Sequence, residues 1–269
     1  MNDTDLQATR RDVGTVAATG TVAVAGALSS ARSQTAAKTF VLVHGAWHGG
    51  WCWRRVADRL ERKGHKVFTP TLTGLGERSH LLSKDVNLGT HVADVVNLVS
   101  WEGLKDIVLV GHSYAGFVIT QVAEQIGPSI ASIVFLDAFY PKLGESLTSL
   151  ASPGTKKALE DAAAKGDTVI KPIPAAAFNV NEKDRAWVDS LCTPHPLGTF
   201  VDKVAAIGGR ETIARRSYIR AAAYDSPSFD AALASVRAAP GWRTYEVPSG
   251  HDVMVDMPDR LVEILLEVA

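Results

Sequence analysis

Cysteine is almost absent from this chain, which has two cysteines, Cys52 and Cys192, in 269 residues. Two are too few for a disulfide framework, and neither lies in a C-x-x-C or zinc-ligand spacing, so we read both as packing residues. The eight histidines are scattered, without an H-E-x-x-H motif or a comparable cluster. We therefore expect neither a metal ion nor another cofactor.

An excess of charge of either sign is also missing. The chain has 28 basic and 29 acidic residues and a net charge of −1 at pH 7. A chain without a basic bias has no long-range attraction to nucleic acid. Because 46% of its residues are hydrophobic, a chain of this length can bury a large core. The composition is typical of one compact enzyme domain with a small-molecule substrate and no nucleic-acid partner.

Residues 1–37 differ in composition from the rest of the chain. Thr9-Arg10-Arg11 precedes an uncharged stretch of Ala, Val, Gly and Thr at 13–31, and small residues continue to Ala37. This arrangement resembles a twin-arginine export signal, and the stretch is too weakly apolar to favour a stable membrane span. It predicts a periplasmic or secreted protein. The alternative is a disordered tail on a cytoplasmic enzyme.

Short apolar runs alternate with helical segments over residues 38–269. Such alternation predicts an α/β fold with a mostly parallel sheet flanked by helices. The predicted strands are 40–43, 66–68, 107–110, 133–136, 217–221 and 243–247. The predicted helices are 53–62, 90–100, 117–125, 229–238 and 258–268.

The interval from about 141 to 210 breaks this rhythm. It mixes Pro-rich pieces, such as Thr193-Pro194-His195-Pro196, with helical stretches at 156–164 and 183–191. An insertion at this place would lie over the carboxyl ends of the strands. We predict a helical cap that shapes a substrate pocket.

One strand runs directly into a serine motif. The apolar run 107–110 is followed by Gly111-His112-Ser113-Tyr114-Ala115-Gly116 and then by the predicted helix 117–125. Strand, tight turn and helix in succession place a serine hydroxyl above the carboxyl edge of a parallel sheet, as in a nucleophile elbow. Ala115 stands where the usual motif has glycine. We predict that Ser113 is a nucleophile; the alternative is an ordinary serine in a glycine-flanked turn.

Two further strand ends supply the partners that a nucleophilic serine needs. Strand 40–43 leads into His44-Gly45-Ala46-Trp47, where such folds place an oxyanion loop, and we expect the backbone N–H groups of Ala46 and Tyr114 to bind the oxyanion. Strand 243–247 leads into His251, just before the last helix. A histidine there completes the chain order Ser, acid, His, so we predict His251 as the general base rather than a solvated loop histidine.

Four segments together resemble a known group of enzymes. Residues 41–53, 74–76, 111–116 and 250–254 are similar to those of the α/β-hydrolases of the plant methylesterase and hydroxynitrile lyase group and their bacterial esterase relatives. The resemblance covers residues 38 to the end and implies an α/β-hydrolase fold that cleaves small-molecule esters.

The lyases of this group share a Thr after the first-loop His and a Lys after the catalytic His. This chain has Gly45 and Asp252 at those positions. Without an ammonium beside His251 to stabilise departing cyanide, the lyase reading is disfavoured.

The acid that orients His251 has two candidates. Asp137 ends the apolar strand 133–136, where an unpaired carboxylate is costly to bury, and haloalkane dehalogenases of this fold can take their acid from that strand end. Asp225 follows strand 217–221, but the resemblance to the plant enzymes puts their Asp at Tyr224. We favour Asp137 and keep Asp225 as the alternative.

These residues predict a serine hydrolase that cleaves a carboxylic ester through an acyl-enzyme. The alternatives are a hydroxynitrile lyase and a non-catalytic ligand-binding protein of the same fold. We expect Trp47, His48, Phe178 and Trp187 to line the pocket.

Overall fold

The computed structural model describes residues 36–269. The predicted export signal lies outside the described residues, apart from its last two positions. Among residues 36–269, no helix has the length and apolar character that crossing a bilayer requires.

The apolar runs of the sequence form the strands of one main sheet, and two short strands form a second sheet. Within the described residues the strands are β1 (Thr39–Val43), β2 (Lys66–Phe68), β3 (Ile107–His112), β4 (Ile130–Leu136), β5 (Val169–Ile170), β6 (His195–Pro196), β7 (Arg215–Ala221) and β8 (Trp242–Val247). The main sheet has the order β2-β1-β3-β4-β7-β8, and all of its strand pairs are parallel. The six predicted strands and the predicted fold class are confirmed.

The α-helices of the described residues alternate with these strands. They are α1 (Arg54–Arg62), α2 (Leu88–Trp101), α3 (Ala115–Ile126), α4 (Leu147–Leu150), α5 (Pro153–Ala164), α6 (Glu182–Leu191), α7 (Gly198–Val201), α8 (Gly208–Thr212), α9 (Pro227–Ala238), α10 (Val253–Asp256) and α11 (Pro258–Val268).

Helices cover both faces of the main sheet. In the sheet, β2 lies on one side of β1 and β3 lies on the other, so the connection from β1 to β2 and the connection from β2 to β3 run in opposite directions across the sheet. Because such crossovers are right-handed, α1 and α2 lie on opposite faces. Helix α11 packs on α1, and α3 packs on α2. Strand β3 is therefore buried along its whole length, as expected for a central strand of a parallel sheet.

The strand register brings the ends of the central strands to one edge of the sheet. His112 at the end of β3 lies beside Leu136 of β4, and Leu136 lies beside Ile219 of β7. The segments that follow these strands therefore meet at that edge. The interval predicted as a cap, 141–210, lies between β4 and β7 and contains α4 to α7 and the small antiparallel sheet of β5 and β6.

Candidate active site

The turn after β3 holds Ser113 in a strained conformation. Its φ is +54°, in the left-handed region that non-glycine residues rarely adopt. A Cβ at Gly116 would collide with the carbonyl oxygen of Phe139, so helix α3 meets this loop at a glycine. The methyl of Ala115, which stands where the usual motif has glycine, is buried in the core. The close approach that requires a glycine occurs one residue later, at Gly116.

The structure brings His251 and Asp137 together. The Nδ1 atom of His251 lies 2.6 Å from Oδ2 of Asp137, and the two residues are 3% and 0% exposed. Ser113 and His251 both line the same cavity. Because Nδ1 of His251 faces Asp137, Nε2 is the ring nitrogen available to Ser113. Asp225 is exposed and makes no hydrogen bond to His251 in the described part of the chain.

Besides the ring of His112, whose centroid lies 4.4 Å away, three aromatic rings surround the imidazole of His251. The ring centroids of Tyr224, Phe229 and Phe178 lie 4.7, 5.3 and 5.4 Å from it. Tyr224 is the position at which the resemblance placed the plant acid, and here its ring packs on the histidine. These rings exclude water from the imidazole side of the His–Asp contact, which strengthens its electrostatic interaction.

The second oxygen of Asp137 is held from strand β7. Its Oδ1 accepts hydrogen bonds from the backbone N–H of Ala221 at 3.0 Å and from the Arg220 guanidinium at 2.8 Å. Sequence reasoning missed Arg220. The sequence feature that could have identified it is a charged residue among the mainly apolar residues that end β7.

The predicted oxyanion loop is fixed by a buried histidine. Leu72 N–H donates to Nε2 of His44 at 3.0 Å, so Nδ1 carries the ring proton and donates to the Gly45 carbonyl at 2.8 Å. Burial lowers the pKa of His44 to about 3, which keeps the ring neutral. The peptide held in this way is the one whose N–H belongs to Ala46.

The N–H groups of Ala46 and Tyr114 are open to the cavity. Both residues line it, and among the described residues neither N–H donates to a protein acceptor. Tyr114 immediately precedes α3, whose N-terminus favours negative charge. These two donors are therefore placed as an oxyanion site requires.

The prediction that His48 lines the pocket was wrong. The side chain is buried beneath the oxyanion loop: its Nδ1 donates to the Ala46 carbonyl at 2.8 Å, and its Nε2 lies 3.1 Å from Oδ2 of Asp252. Both ring nitrogens face acceptors, an arrangement that favours the protonated ring. Burial opposes the charge, but Asp252 outweighs burial and raises the pKa of His48. The His48–Asp252 pair joins the oxyanion loop to the residue after His251.

The cavity above Ser113 is mostly apolar. It has a volume of about 490 Å³, and its walls include Trp47, Phe139, Phe178, Phe200 and Phe229. The prediction for Trp47 and Phe178 therefore holds. Trp187 instead packs on Trp51, with ring centroids 5.1 Å apart, and does not line the cavity. Asp225 is the one Asp, Glu, Lys or Arg that lines this cavity among the described residues.

Comparison with known proteins is consistent with this geometry. The sequence model of the alpha/beta hydrolase family matches residues 40–264. The chain belongs to the α/β-hydrolase family. It is 45% identical over 235 residues to the carbendazim hydrolyzing esterase of Nocardioides sp. (strain SG-4G), a match that covers 84% of this chain and 97% of that protein.

The plant relatives match over a shorter region. Methylesterase 4 of Arabidopsis thaliana is 40% identical over 107 residues, 39% of this chain and 40% of that protein. Among solved structures, an extracellular alpha/beta-hydrolase from a Paenibacillus species superposes with a TM-score of 0.76 at 25% identity, covering 86% of this chain and 99% of that one. The α/β-hydrolase fold and the resemblance to methylesterases and bacterial esterases are confirmed.

Proposed function

We propose that this protein cleaves small-molecule carboxylic esters through an acyl-enzyme, with Ser113 as nucleophile, His251 as base and Asp137 as acid. The observation that carries the proposal is the 2.6 Å contact of Asp137 with His251, which lines the same cavity as Ser113. The esterase relatives confirm the prediction of a carboxylic ester hydrolase at the level of enzyme class.

In the first step, His251 takes the proton of Ser113 as the hydroxyl oxygen attacks the ester carbonyl. The tetrahedral oxyanion is bound by the N–H groups of Ala46 and Tyr114, and each such donor contributes about 10²–10³ in rate. His251 then gives its proton to the leaving alkoxide. In the second step, His251 activates a water that hydrolyses the acyl-enzyme.

The cavity favours an uncharged substrate with an aromatic or other apolar group. Its volume of about 490 Å³ suits a small organic molecule, and its walls are rich in aromatic side chains. It contains no lysine or arginine among the described residues, and Asp225 repels anions. The cap interval 141–210 supplies Leu147, Leu159 and Ile170 to the wall, so we infer that it sets substrate choice. Carbendazim is a compound to test first, since the Nocardioides relative is named for it.

Hydrolysis of a nitrophenyl ester by the purified protein tests the proposal. We expect Ser113→Ala to lose about 10⁴–10⁶ in kcat, because members of a triad fail as a unit. Ser100→Ala is the matched control, since Ser100 is an exposed serine at the end of α2. Turnover by Ser113→Ala at a tenth of the wild-type rate would contradict the mechanism. An inactive wild type that still binds apolar esters would favour the ligand-binding alternative.

The lyase alternative finds little support at the two positions that distinguish lyases. A Cβ at position 45 would lie 2.8 Å from Nδ1 of His112, so a threonine there would have to displace the His112 ring. Asp252 follows His251 and is paired with His48, so no ammonium stands at this position. Release of cyanide from a cyanohydrin at a rate comparable to ester hydrolysis would reverse this conclusion.

We also propose that the chain is exported. The basis is Arg10-Arg11 followed by an uncharged stretch of small residues. We expect the mature protein from the native host to start between about residues 29 and 38 and to lie outside the cytoplasm. Replacing both arginines with lysine should retain the full-length chain inside the cell. A native protein that begins at Met1 would refute export.

A further inference from the structure

Arg220 on strand β7 is a buried cation in contact with Asp137. The residue is 3% exposed. Its guanidinium donates to Oδ1 of Asp137 and to Oδ1 of Asp230, each at 2.8 Å. It also donates to the backbone carbonyls of Ala221 and Tyr224, each at 2.6 Å. Both ends of the guanidinium fork are therefore used, one on Asp137 and the other on the turn that follows β7.

The positive charge of Arg220 compensates the negative charge of a buried carboxylate. Asp137 is fully buried, and a buried carboxylate beside a neutral imidazole is costly without a compensating cation. Burial opposes the charge on Arg220 as well, but the carboxylates of Asp137 and Asp230 outweigh it and raise the pKa of the guanidinium. Asp137 and Arg220 are therefore stable as buried charges only together, and the exposed Asp230 adds a second partner for the guanidinium.

Arg220 also restricts the rotation of the Asp137 carboxylate. Oδ1 accepts from Arg220 and from the Ala221 N–H, so Oδ2 is the oxygen that faces His251. Asp137 itself has φ +40°, a strained conformation that needs such support. The same guanidinium holds the Tyr224 carbonyl, and the ring of Tyr224 packs on His251.

We propose that Arg220 is a positioning residue of the triad, which fixes the Asp137 carboxylate and aims its Oδ2 at His251. This inference rests on the proposed function of the Ser113 site. Arg220 touches no reacting atom, and it acts through Asp137 and through the turn that carries Tyr224.

Loss of the cation should change the pH dependence of the reaction. Arg220 donates to the carboxylate that contacts His251, so its removal should move the acid limb of the kcat/KM profile. The other ionisable groups around the His251 ring are Asp137, His112, Tyr224, the exposed Asp225, and Asp252, which is paired with His48. None of these side chains is itself substituted in Arg220→Ala, so a moved limb would be traced to the lost guanidinium.

The structure offers a direct chemical test, rescue by guanidinium. A polar cavity of about 280 Å³ lies beside Arg220 and is also lined by Asp225, Asp230 and Glu246. Guanidinium ion at millimolar concentration can therefore reach the space left in Arg220→Ala. We expect this variant to lose about 10²-fold in kcat, the cost of a misplaced catalytic group, with a smaller change in KM. Guanidinium should restore part of that loss, and sodium chloride at equal ionic strength should not.

Two variants serve as comparisons. Arg220→Lys keeps the charge but loses the fork, so we expect a lowered kcat with the acid limb unmoved. Arg215→Ala removes an exposed arginine of the same strand that donates to Ala131, and we expect neither a loss nor a response to guanidinium.

A second readout does not depend on turnover. The proton between His251 and Asp137 should give a downfield ¹H NMR signal that Arg220→Ala loses and guanidinium restores. Full activity of Arg220→Ala, or a loss with no response in rate, pH profile and NMR signal, would overturn the proposal. If Arg220→Ala does not fold, a wild-type kcat and a wild-type NMR signal in Arg220→Lys would overturn it. If wild-type turnover survives Ser113→Ala, the proposed function fails, and the NMR response alone decides the role of Arg220.

Discussion

Replacing Asp137 by asparagine should disable the base through its tautomer. Oδ1 of Asp137 accepts from two donors, Arg220 and the Ala221 N–H, so the asparagine carbonyl oxygen will take that place. Its NH₂ group then faces Nδ1 of His251, which is 2.6 Å from Oδ2 in the wild type. Nδ1 must accept that hydrogen bond, and the ring proton moves to Nε2. A histidine with its proton on Nε2 cannot take a proton from Ser113.

The expected loss is about 10⁴-fold in kcat, as for the equivalent change in a serine protease triad. This corresponds to about 5.4 kcal/mol of transition-state stabilisation, at 1.36 kcal/mol per tenfold. Asp225→Asn is the matched control: Asp225 is an exposed carboxylate without a hydrogen bond to His251 in the described residues, and we expect a change of less than about threefold.

The assay is kcat/KM for a nitrophenyl ester, with circular dichroism melting to verify folding. Equal losses in Asp137→Asn and Asp225→Asn would refute the reasoning. So would retention of a tenth of the activity by Asp137→Asn.

Three further predictions concern the surroundings of the site. Asp252→Asn should cost about 3–5 kcal/mol in the free energy of unfolding, because it leaves the buried His48 without its partner. Asp252 raises the pKa of His48, so the stability contributed by the His48–Asp252 pair should be full below about pH 6.5, the ordinary pKa of histidine. That stability should fall as the pH rises through the raised pKa of His48, and chemical denaturation of the wild type at a series of pH values checks this. Gly45→Thr should lower the melting temperature by overpacking against His112, at about 1–3 kcal/mol, without creating cyanohydrin cleavage. Asp225→Lys should raise kcat/KM for an anionic ester relative to a neutral one, and an unchanged ratio would show that Asp225 does not repel substrate.

Local sequence patterns predicted the strands and the elbow well. The run 107–110 is apolar throughout and leads into glycines at 111 and 116, and both features act within a few residues of the chain. Features within a few residues also predicted the loop after β1 and the position of His251 shortly after β8. The confirmed fold follows from these local signals together with the handedness of crossovers.

Contacts between distant segments were harder to predict. The choice between Asp137 and Asp225 depends on how the ends of β4 and β7 lie beside each other, and the sequence narrowed it to two residues without fixing it. The pairing of His48 with Asp252 spans 204 residues, so a histidine beside the oxyanion loop was assigned to the pocket. Arg220 was missed because a charged residue in a strand is usually solvated, whereas here it neutralises a buried carboxylate.

Covalent labelling tests the central claim that Ser113 is an activated nucleophile. A phosphonyl fluoride should add once per chain, and peptide mapping by mass spectrometry should place the adduct on Ser113. We expect no adduct with Ser113→Ala, much slower labelling with His251→Ala, and none with heat-unfolded protein, because labelling needs the hydrogen-bonded His251 and Asp137. An adduct on another residue, or undiminished labelling of Ser113→Ala, would contradict the assignment of Ser113.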